Sequence, residues 1–135
     1  MKKIMILFFG LLTLSSCLDK KEIDGKWDDI IKLSTKNVEL THKMNSVTIT
    51  TKGDWWWIDA VSFENSIYSY YDNEDINLES DSYSIIEEEF LIKRRDKNTL
   101  FIKLNENNTG KERVMNITFE AGDYFDYVTI KQAAN

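Results

Sequence analysis

The last third of the chain carries the clearest alternation of apolar and polar positions. Residues 100–104, 115–119 and 127–132 each alternate with a period of two. Because successive side chains of a strand point to opposite faces, this period predicts strands with one buried and one solvated face. Residues 107–110 and 121–123 contain Asn, Gly and Asp, which are typical of turns. The pattern therefore predicts an antiparallel meander whose apolar face is covered by the rest of the chain.

Weaker strand patterns precede this region. Residues 28–33 and 38–40 predict short strands, and the β-branched residues 47–50 predict a stronger one. The sequence Lys-Gly-Asp at 52–54 predicts a hairpin turn, and residues 55–65 then predict the return strand. These patterns place most of the first half of the chain in extended structure.

Residues 66–92 have the least regular pattern and combine tyrosines with acidic residues. Within them, residues 84–92 are predicted as one strand, with a solvated face at the three glutamates of 87–89. Residues 93–98 are predicted as a turn into the meander. Seven to nine short strands without a long amphipathic helix are typical of an all-β, antiparallel β-sandwich with Greek-key connections.

The N-terminal segment resembles a bacterial lipoprotein signal. Two lysines precede an apolar run at 4–14, which is short for a membrane-spanning helix. The run ends in Leu-Ser-Ser-Cys at 14–17, and this resemblance to a lipobox implies that Cys17 is lipidated. The predicted organisation is a signal peptide at 1–16, a tether at 17–26 and a folded domain at 27–135. The alternative is an ordinary signal peptide with a chance cysteine.

This segment predicts a location in the bacterial cell envelope, with the outer membrane as the expected membrane and its side left open. Cys17 is the only cysteine, so an intrachain disulfide is excluded. The chain has 17 basic and 23 acidic residues, a formal net charge of −6. A net negative charge repels phosphate and anionic lipid, so nucleic acid is not an expected partner. The lipid attached at Cys17 is the expected contact with the membrane.

The residues needed for common enzymatic sites are scarce. His42 is the only histidine, no serine stands in a glycine-flanked elbow, and zinc ligands are lacking. The chain has enough acidic residues to supply the paired carboxylates that glycoside hydrolysis needs. A small sandwich with short turns, however, rarely forms the cleft that this reaction needs. The acidic residues at 72–75 offer hard oxygen ligands but match no calcium-loop motif. We therefore predict no catalysis, no cofactor and no metal.

Two groups of motifs resemble the BACON family of immunoglobulin-like envelope modules. The first group lies at residues 33–34, 47–50 and 53–55, and the second at 107–113, 116–119 and 127–132, where Arg113 and Gln132 stand at matching places. The resemblance implies an immunoglobulin-like β-sandwich in a glycan-degrading envelope system. It also implies non-catalytic binding of carbohydrate or of a mucin-type glycoprotein. The alternative function is a structural or protein-interaction module, or a spacer, that packs against other envelope proteins.

Three consecutive tryptophans form the most distinctive local feature. Side-chain alternation predicts Trp55 and Trp57 on one face of a strand and Trp56 on the other. The resemblance matches Trp55 to the family's core tryptophan, which implies that Trp55 is buried, Trp57 lies beside it and Trp56 faces outward. An outward Trp56 is a candidate for binding sugar, whose C–H faces pack on aromatic rings. The alternative is that residues 66–92 cover Trp56.

Other aromatic residues extend the candidate site. The tyrosines of residues 68–71 lie near carboxylates, and both groups can hydrogen-bond sugar hydroxyls; the alternative is a solvated loop with partly packed rings. Phe101, Phe125 and Tyr127 are predicted to form one outer aromatic patch, and the alternative is cross-strand packing. The candidate ligand-binding residues are Trp56, Tyr68, Tyr70, Tyr71, Phe101, Phe125 and Tyr127, and the candidate lipidation site is Cys17.

Overall fold

The computed structural model describes residues 28–135, which form nine strands in two packed sheets. The strands are β1 Asn37–Leu40, β2 Asn45–Thr50, β3 Trp57–Phe63, β4 Ser66–Tyr68, β5 Tyr83–Ile86, β6 Phe90–Asp96, β7 Thr99–Leu104, β8 Arg113–Ala121 and β9 Tyr124–Gln132. The five-stranded sheet has the order β1-β9-β8-β3-β4, and the four-stranded sheet has the order β2-β7-β6-β5. The predicted all-β sandwich is confirmed. The predictions for residues 1–26, including lipidation of Cys17, lie outside the described residues.

Residues 28–135 contain no helix, and so none of a length and apolarity that would cross a bilayer. Greek-key linkage of the strands stays a prediction. One feature departs from the predicted antiparallel pairing, because β1 runs parallel to β9 at the edge of its sheet. Residues 28–33 form no strand, and their pairing is limited to a bridge between Leu33 and Thr51.

The core lies between the two sheets and follows the alternation seen in the sequence. Met115, Ile117 and Phe119 of β8 are fully buried, and the intervening residues are only partly buried. Leu100 and Ile102 of β7 are fully buried on the facing sheet. Each such side chain stabilises the fold by roughly 1.5–3 kcal/mol through apolar burial. The predicted strands at 100–104, 115–119 and 127–132 are therefore confirmed.

The predicted meander is wrong, because β7 lies in a different sheet from β8 and β9. Strand β7 pairs with β2 and β6, whereas β8 and β9 form a long antiparallel hairpin. The chain crosses between the sheets at residues 105–112, where buried Asn107 donates from Nδ2 to the carbonyl oxygens of Lys111 and Ala133. Alternation predicts a strand but not its partner strand, so it does not predict that the chain changes sheets between β7 and β8.

The predicted hairpin between β2 and the tryptophans is also wrong. Strand β2 pairs with β7, and β3 pairs with β4 and β8 in the other sheet. Gly53 lies in the crossing segment, where the backbone of residues 30–31 approaches closely. A Cβ atom at Gly53 would overlap the carbonyl oxygen of Ile30. The glycine at this position is required by backbone proximity between crossing segments, and not by a two-residue turn.

Residues 84–96 differ from the prediction in a third way. They form parts of two strands, β5 and β6, and Glu87, Glu88 and Glu89 occupy the hairpin between them. Strand β6 continues through residues 93–96, which were predicted as a turn. The hairpin places Arg94 on the inner face of β6, where it is buried.

A buried polar network closes the end of the sandwich at the crossing between β7 and β8. Arg113 and Gln132 are paired across β8 and β9, and the Arg113 guanidinium donates to Gln132 Oε1 at 2.8 and 3.2 Å. Arg113 also donates to Glu89 Oε2 at 2.8 Å. Gln132 Nε2 in turn donates to the carbonyl oxygens of Lys43 and Asn105. These two residues therefore connect the crossing segments at this end.

We predict that Ile117→Ala lowers the free energy of unfolding by about 2–5 kcal/mol, because it removes a fully buried side chain and leaves a cavity. The matched control is Thr118→Val, a β-branched change on the outer face of the same strand, which is expected to change stability by less than about 0.5 kcal/mol. Urea unfolding followed by circular dichroism measures both values. Equal stability of the two variants would contradict the placement of the core.

Candidate functional site

The three tryptophans alternate as predicted, but their faces are the reverse of the prediction. Trp56 is 2% exposed, whereas Trp55 is 65% exposed and Trp57 is half-buried on the outer face of the five-stranded sheet. Trp56 lies two residues before Ile58, and both point into the core. The apolar Ile58 followed by polar Asp59 was the signal that would have placed Trp56 inward. The proposed role of Trp56 as an outward ring is therefore wrong.

Trp56 is enclosed by three kinds of contact. Its ring centroid lies 5.1 Å from that of Phe119. The Arg94 guanidinium carbon lies 4.0 Å above its ring, in cation–π geometry. Its Nε1 donates to Thr51 Oγ1 at 3.0 Å, so its polar atom is satisfied. These contacts anchor the segment that crosses from one sheet to the other.

Arg94 holds this crossing segment by donating to five backbone carbonyl oxygens. These acceptors are Asp54, Trp56, Ser80, Asp96 and Lys97, at 2.7–3.4 Å. Four of them belong to three different connections, between β2 and β3, β4 and β5, and β6 and β7, and Asp96 is the last residue of β6. Burial lowers the pKa of the Arg94 guanidinium, and the nearby Tyr83 hydroxyl and carboxylates oppose this shift. With its N–H groups occupied, Arg94 serves as a structural clamp against Trp56.

Trp57 is fixed on the outer face by a hydrogen-bonded group. Its Nε1 lies 3.0 Å from Glu120 Oε2 and 2.8 Å from the Tyr71 hydroxyl. The Tyr71 hydroxyl lies 2.6 Å from Glu120 Oε2 and 3.1 Å from Asp59 Oδ1. The Tyr71 hydroxyl has one proton to donate, and Glu120 Oε2 is the nearer acceptor. Burial, together with hydrogen bonding to Glu120, raises the pKa of Tyr71. Tyr71 is thus tied to the sheet although its side chain is 52% exposed.

Trp55 extends the aromatic surface toward the turn between β8 and β9. Its ring lies edge-on to Trp57, with centroids 5.5 Å apart and planes at 79°. Its other side rests over Gly122, where a Cβ atom would be 3.5 Å from the indole carbons. Gly122 has a φ of 61°, as predicted for this turn. A substitution at Gly122 would therefore be strained by the positive φ, whereas its Cβ atom would make only ordinary van der Waals contact with the Trp55 ring.

Two grooves meet at Trp57. The larger has a volume of about 470 Å³, and the smaller has about 290 Å³. Trp57 and Glu79 line both grooves, so the two grooves are neighbours on the surface. The larger groove is lined by Asp54, Trp55, Trp56, Trp57, Glu79, Asp81, Arg94 and Lys97, and the smaller by Trp57, Tyr71, Ile76, Asn77, Leu78 and Glu79. We call the group of exposed and half-buried residues Trp55, Trp57, Asp59, Tyr71, Glu79 and Glu120 the Trp57 surface.

Of the three candidate tyrosines, Tyr71 alone joins this surface. Tyr70 is buried and stacks on Tyr68, with ring centroids 6.5 Å apart and planes at 7°. Tyr68 lies edge-on to Phe90 at 5.4 Å, and the Tyr70 hydroxyl donates to Glu87 Oε1. The predicted exposure of Tyr70 is wrong, because this pair of rings covers the side of the core between β4 and β6.

The predicted patch of Phe101, Phe125 and Tyr127 is wrong as a single unit. Phe101 lies on the outer face of the four-stranded sheet, where the Arg95 guanidinium carbon is 4.3 Å from its ring centroid. Phe125 and Tyr127 are exposed on the outer face of the five-stranded sheet, on the opposite side of the sandwich. The prediction assumed one meander, and the crossing between β7 and β8 separates these residues. Within residues 28–135, no three or more His, Cys, Asp or Glu side chains are arranged to hold a metal.

Comparison with protein-family models and with curated proteins found no match. Among solved structures, the chain is similar to a protein from Bacteroides thetaiotaomicron determined by NMR, with 23% identity and a TM-score of 0.63 over 84% of this chain and 94% of that one. This likeness supports the sandwich fold alone.

Two weaker likenesses carry no argument. One is to a Bacteroides ovatus GH5 xyloglucanase in complex with a XXXG heptasaccharide, with 20% identity and a TM-score of 0.48 over 78% of this chain and 19% of that one. The other is to the C. elegans MSP family member WR4, with 13% identity and a TM-score of 0.32 over 78% of this chain and 98% of that one. The BACON resemblance of the sequence stays a prediction.

We predict that Arg94→Met lowers the free energy of unfolding by about 2–4 kcal/mol, because buried carbonyl oxygens lose their donors. The matched control is Arg95→Met, a neighbouring exposed arginine, for which a loss below about 1 kcal/mol is expected. Urea unfolding measures stability, and near-UV circular dichroism reports on the tryptophans. Similar losses for the two variants would contradict the clamp.

Proposed function

We propose that this chain is a non-catalytic, lipid-anchored module of the bacterial envelope that binds carbohydrate, free or on a glycoprotein, through the Trp57 surface. The single observation that carries the proposal is the arrangement around Trp57. Exposed and half-exposed aromatic rings lie beside hydrogen-bonded carboxylates, and two grooves share Trp57 as a lining residue.

A sugar can contact both the aromatic rings and the carboxylates of the Trp57 surface. A sugar ring has apolar C–H faces that pack on aromatic rings with little desolvation. It also has hydroxyl groups around its edge, which need acceptors and donors in fixed positions. Asp59 and Glu120 offer acceptors held in place by Tyr71, and Glu79 lies between the two grooves. The surface therefore presents stacking and hydrogen-bonding groups side by side.

The exposure of the carboxylates supports binding without catalysis. Asp54, Glu79 and Asp81 line the larger groove, and all three are exposed to solvent. A general acid for glycoside hydrolysis needs a carboxyl that stays protonated near neutral pH, and burial in an apolar pocket is the usual cause. An open groove with exposed carboxylates does not supply that environment.

The envelope location rests on the lipobox-like sequence before Cys17. The acidic composition repels anionic lipid headgroups, so the lipid is the proposed membrane contact. Residues 17–26 would serve as the tether between the membrane and the sandwich. A tether of this kind leaves the Trp57 surface free to meet a glycan in solution.

A second candidate function is a protein-interaction module, and the sheet edges favour it. Strands β4 and β5 are edge strands of the two sheets. They carry the exposed side chains Ile67 and Ile86, which are 80% and 76% exposed. Unpaired strand edges with apolar side chains offer pairing to another chain. Co-purification of an enriched envelope protein that is lost in an Ile67→Lys, Ile86→Lys variant would support this candidate.

We predict that Trp57→Thr weakens glycan binding by at least about tenfold, since one aromatic stacking contact contributes on the order of 1.4 kcal/mol. The matched control is Phe101→Thr, which removes an outward ring from the opposite sheet and is expected to leave binding unchanged. Calorimetric titration of neutral oligosaccharides and mucin-type glycans measures both. A panel in which no glycan binds the unsubstituted chain, or in which Trp57→Thr binds as well, would overturn the proposal.

A further inference from the structure

We propose that the Trp57 surface continues across the five-stranded sheet, so that an extended, uncharged glycan chain binds along Trp57, Phe125 and Tyr127. This inference rests on the proposed function and adds to it the length and charge of the ligand. Phe125 and Tyr127 lie outside both grooves. Their place in the sheet register connects them to Trp57.

Strand register places these rings on one face. Trp57 of β3 is opposite Glu120 of β8, and Glu120 is opposite Phe125 of β9. Residues directly opposite each other in a sheet project to the same side. The hydrogen bond from Trp57 to Glu120 confirms the shared side for the first pair. Phe125 therefore completes a row that runs across three strands on the outer face.

Tyr127 lies in the next outward row. It is opposite Thr118 of β8, which is opposite Ala60 of β3. A bulge between Ile58 and Ala60 projects Asp59 toward the same outer face, where its carboxylate meets the Tyr71 hydroxyl. Both Phe125 and Tyr127 are exposed. The first row thus carries an aromatic ring at each end, the second carries one at its β9 end, and polar groups lie between them.

The spacing of the rings fits a chain of sugars. Two strand spacings separate Trp57 from Phe125, which amounts to about 9–10 Å. This distance is about the length of two sugar residues, so the two rings would stack on sugars two units apart along a chain, with one sugar between them. Glu120 and Thr118 lie between the rings and can accept hydrogen bonds from hydroxyl groups. The outer face of a sheet has no side walls, so a chain can continue past both ends.

The charges on this face favour an uncharged ligand. The ionised side chains in and beside the two rows, Asp59 and Glu120, are both carboxylates. Arg94 lies beneath the groove, but its N–H groups are taken by backbone carbonyl oxygens. Lys97 is an exposed cation of the larger groove, but the same groove holds the exposed carboxylates Asp54, Glu79 and Asp81. A sulfated or uronic chain would therefore meet more carboxylates than cations, whereas a neutral chain would meet no such repulsion.

The test compares chain lengths on the full chain purified in detergent. The probes are a disaccharide and a hexasaccharide of a neutral glycan that the unsubstituted protein binds, and the hexasaccharide carrying uronic acids. Phe125→Thr and Tyr127→Thr remove the rings and introduce a β-branched residue that is also favourable in a strand. Phe101→Thr is the control on the opposite sheet, and unfolding midpoints verify that each variant is folded.

We expect the neutral hexasaccharide to bind at least about tenfold more tightly than the disaccharide, and Phe125→Thr and Tyr127→Thr to remove this advantage without changing disaccharide binding. The uronic hexasaccharide is expected to bind more weakly than the neutral one, and this difference in affinity should shrink as salt is added.

Equal affinity for the two lengths, or unaltered hexasaccharide binding in both variants, would overturn the inference and leave glycan binding at Trp57 intact. Loss of self-association in Phe125→Thr, with no length effect, would also overturn it and identify the face as a contact between copies.

Discussion

One buried guanidinium organises the end of the sandwich where the tryptophans emerge. Arg94 reaches from β6 to carbonyl oxygens in three connections, and its charged plane covers the Trp56 ring. Backbone carbonyl oxygens in crossing segments have no strand partner, and buried ones without donors cost free energy. By satisfying several at once, Arg94 determines where the segment before β3 leaves the core. Trp55 and Trp57 are displayed on the surface because Trp56 is held beneath Arg94.

The opposite end of the sandwich is closed by the same kind of chemistry. Arg113 and Gln132 are buried between the sheets, and their hydrogen bonds satisfy carbonyl oxygens of the segments that cross there. A sandwich whose chain changes sheets repeatedly needs such clamps, because each crossing removes backbone groups from the strand ladders. In this chain the clamps are long, planar side chains with several donors or acceptors, and no disulfide is available to share the task.

The position of the candidate site follows from this framework. Trp57, Glu120 and Phe125 stand on three paired strands, so their spacing is determined by backbone hydrogen bonds and not by loop conformation. Tyr71 comes from a long connection, yet its hydroxyl is tied to Glu120 and Asp59. A surface built in this way is pre-organised, which reduces the ordering cost of binding. The surface has no side walls, so it can bind an extended ligand without enclosing it, as the proposed binding role requires.

The sequence by itself determined the all-β class, the three C-terminal strands and the turn at Gly122, because alternation and positive-φ residues act locally. It also determined that Trp55 and Trp57 share one face, since side-chain period is a property of a single strand. Which face is buried, and which strand is the partner, were decided only in the tertiary structure. Residues 105–112 and the segment around Gly53 change sheets, and nothing in a local pattern distinguishes a crossing from a hairpin. Those crossings put Trp56 in the core, separated Phe101 from Phe125 and Tyr127, and placed Trp57 at the candidate site.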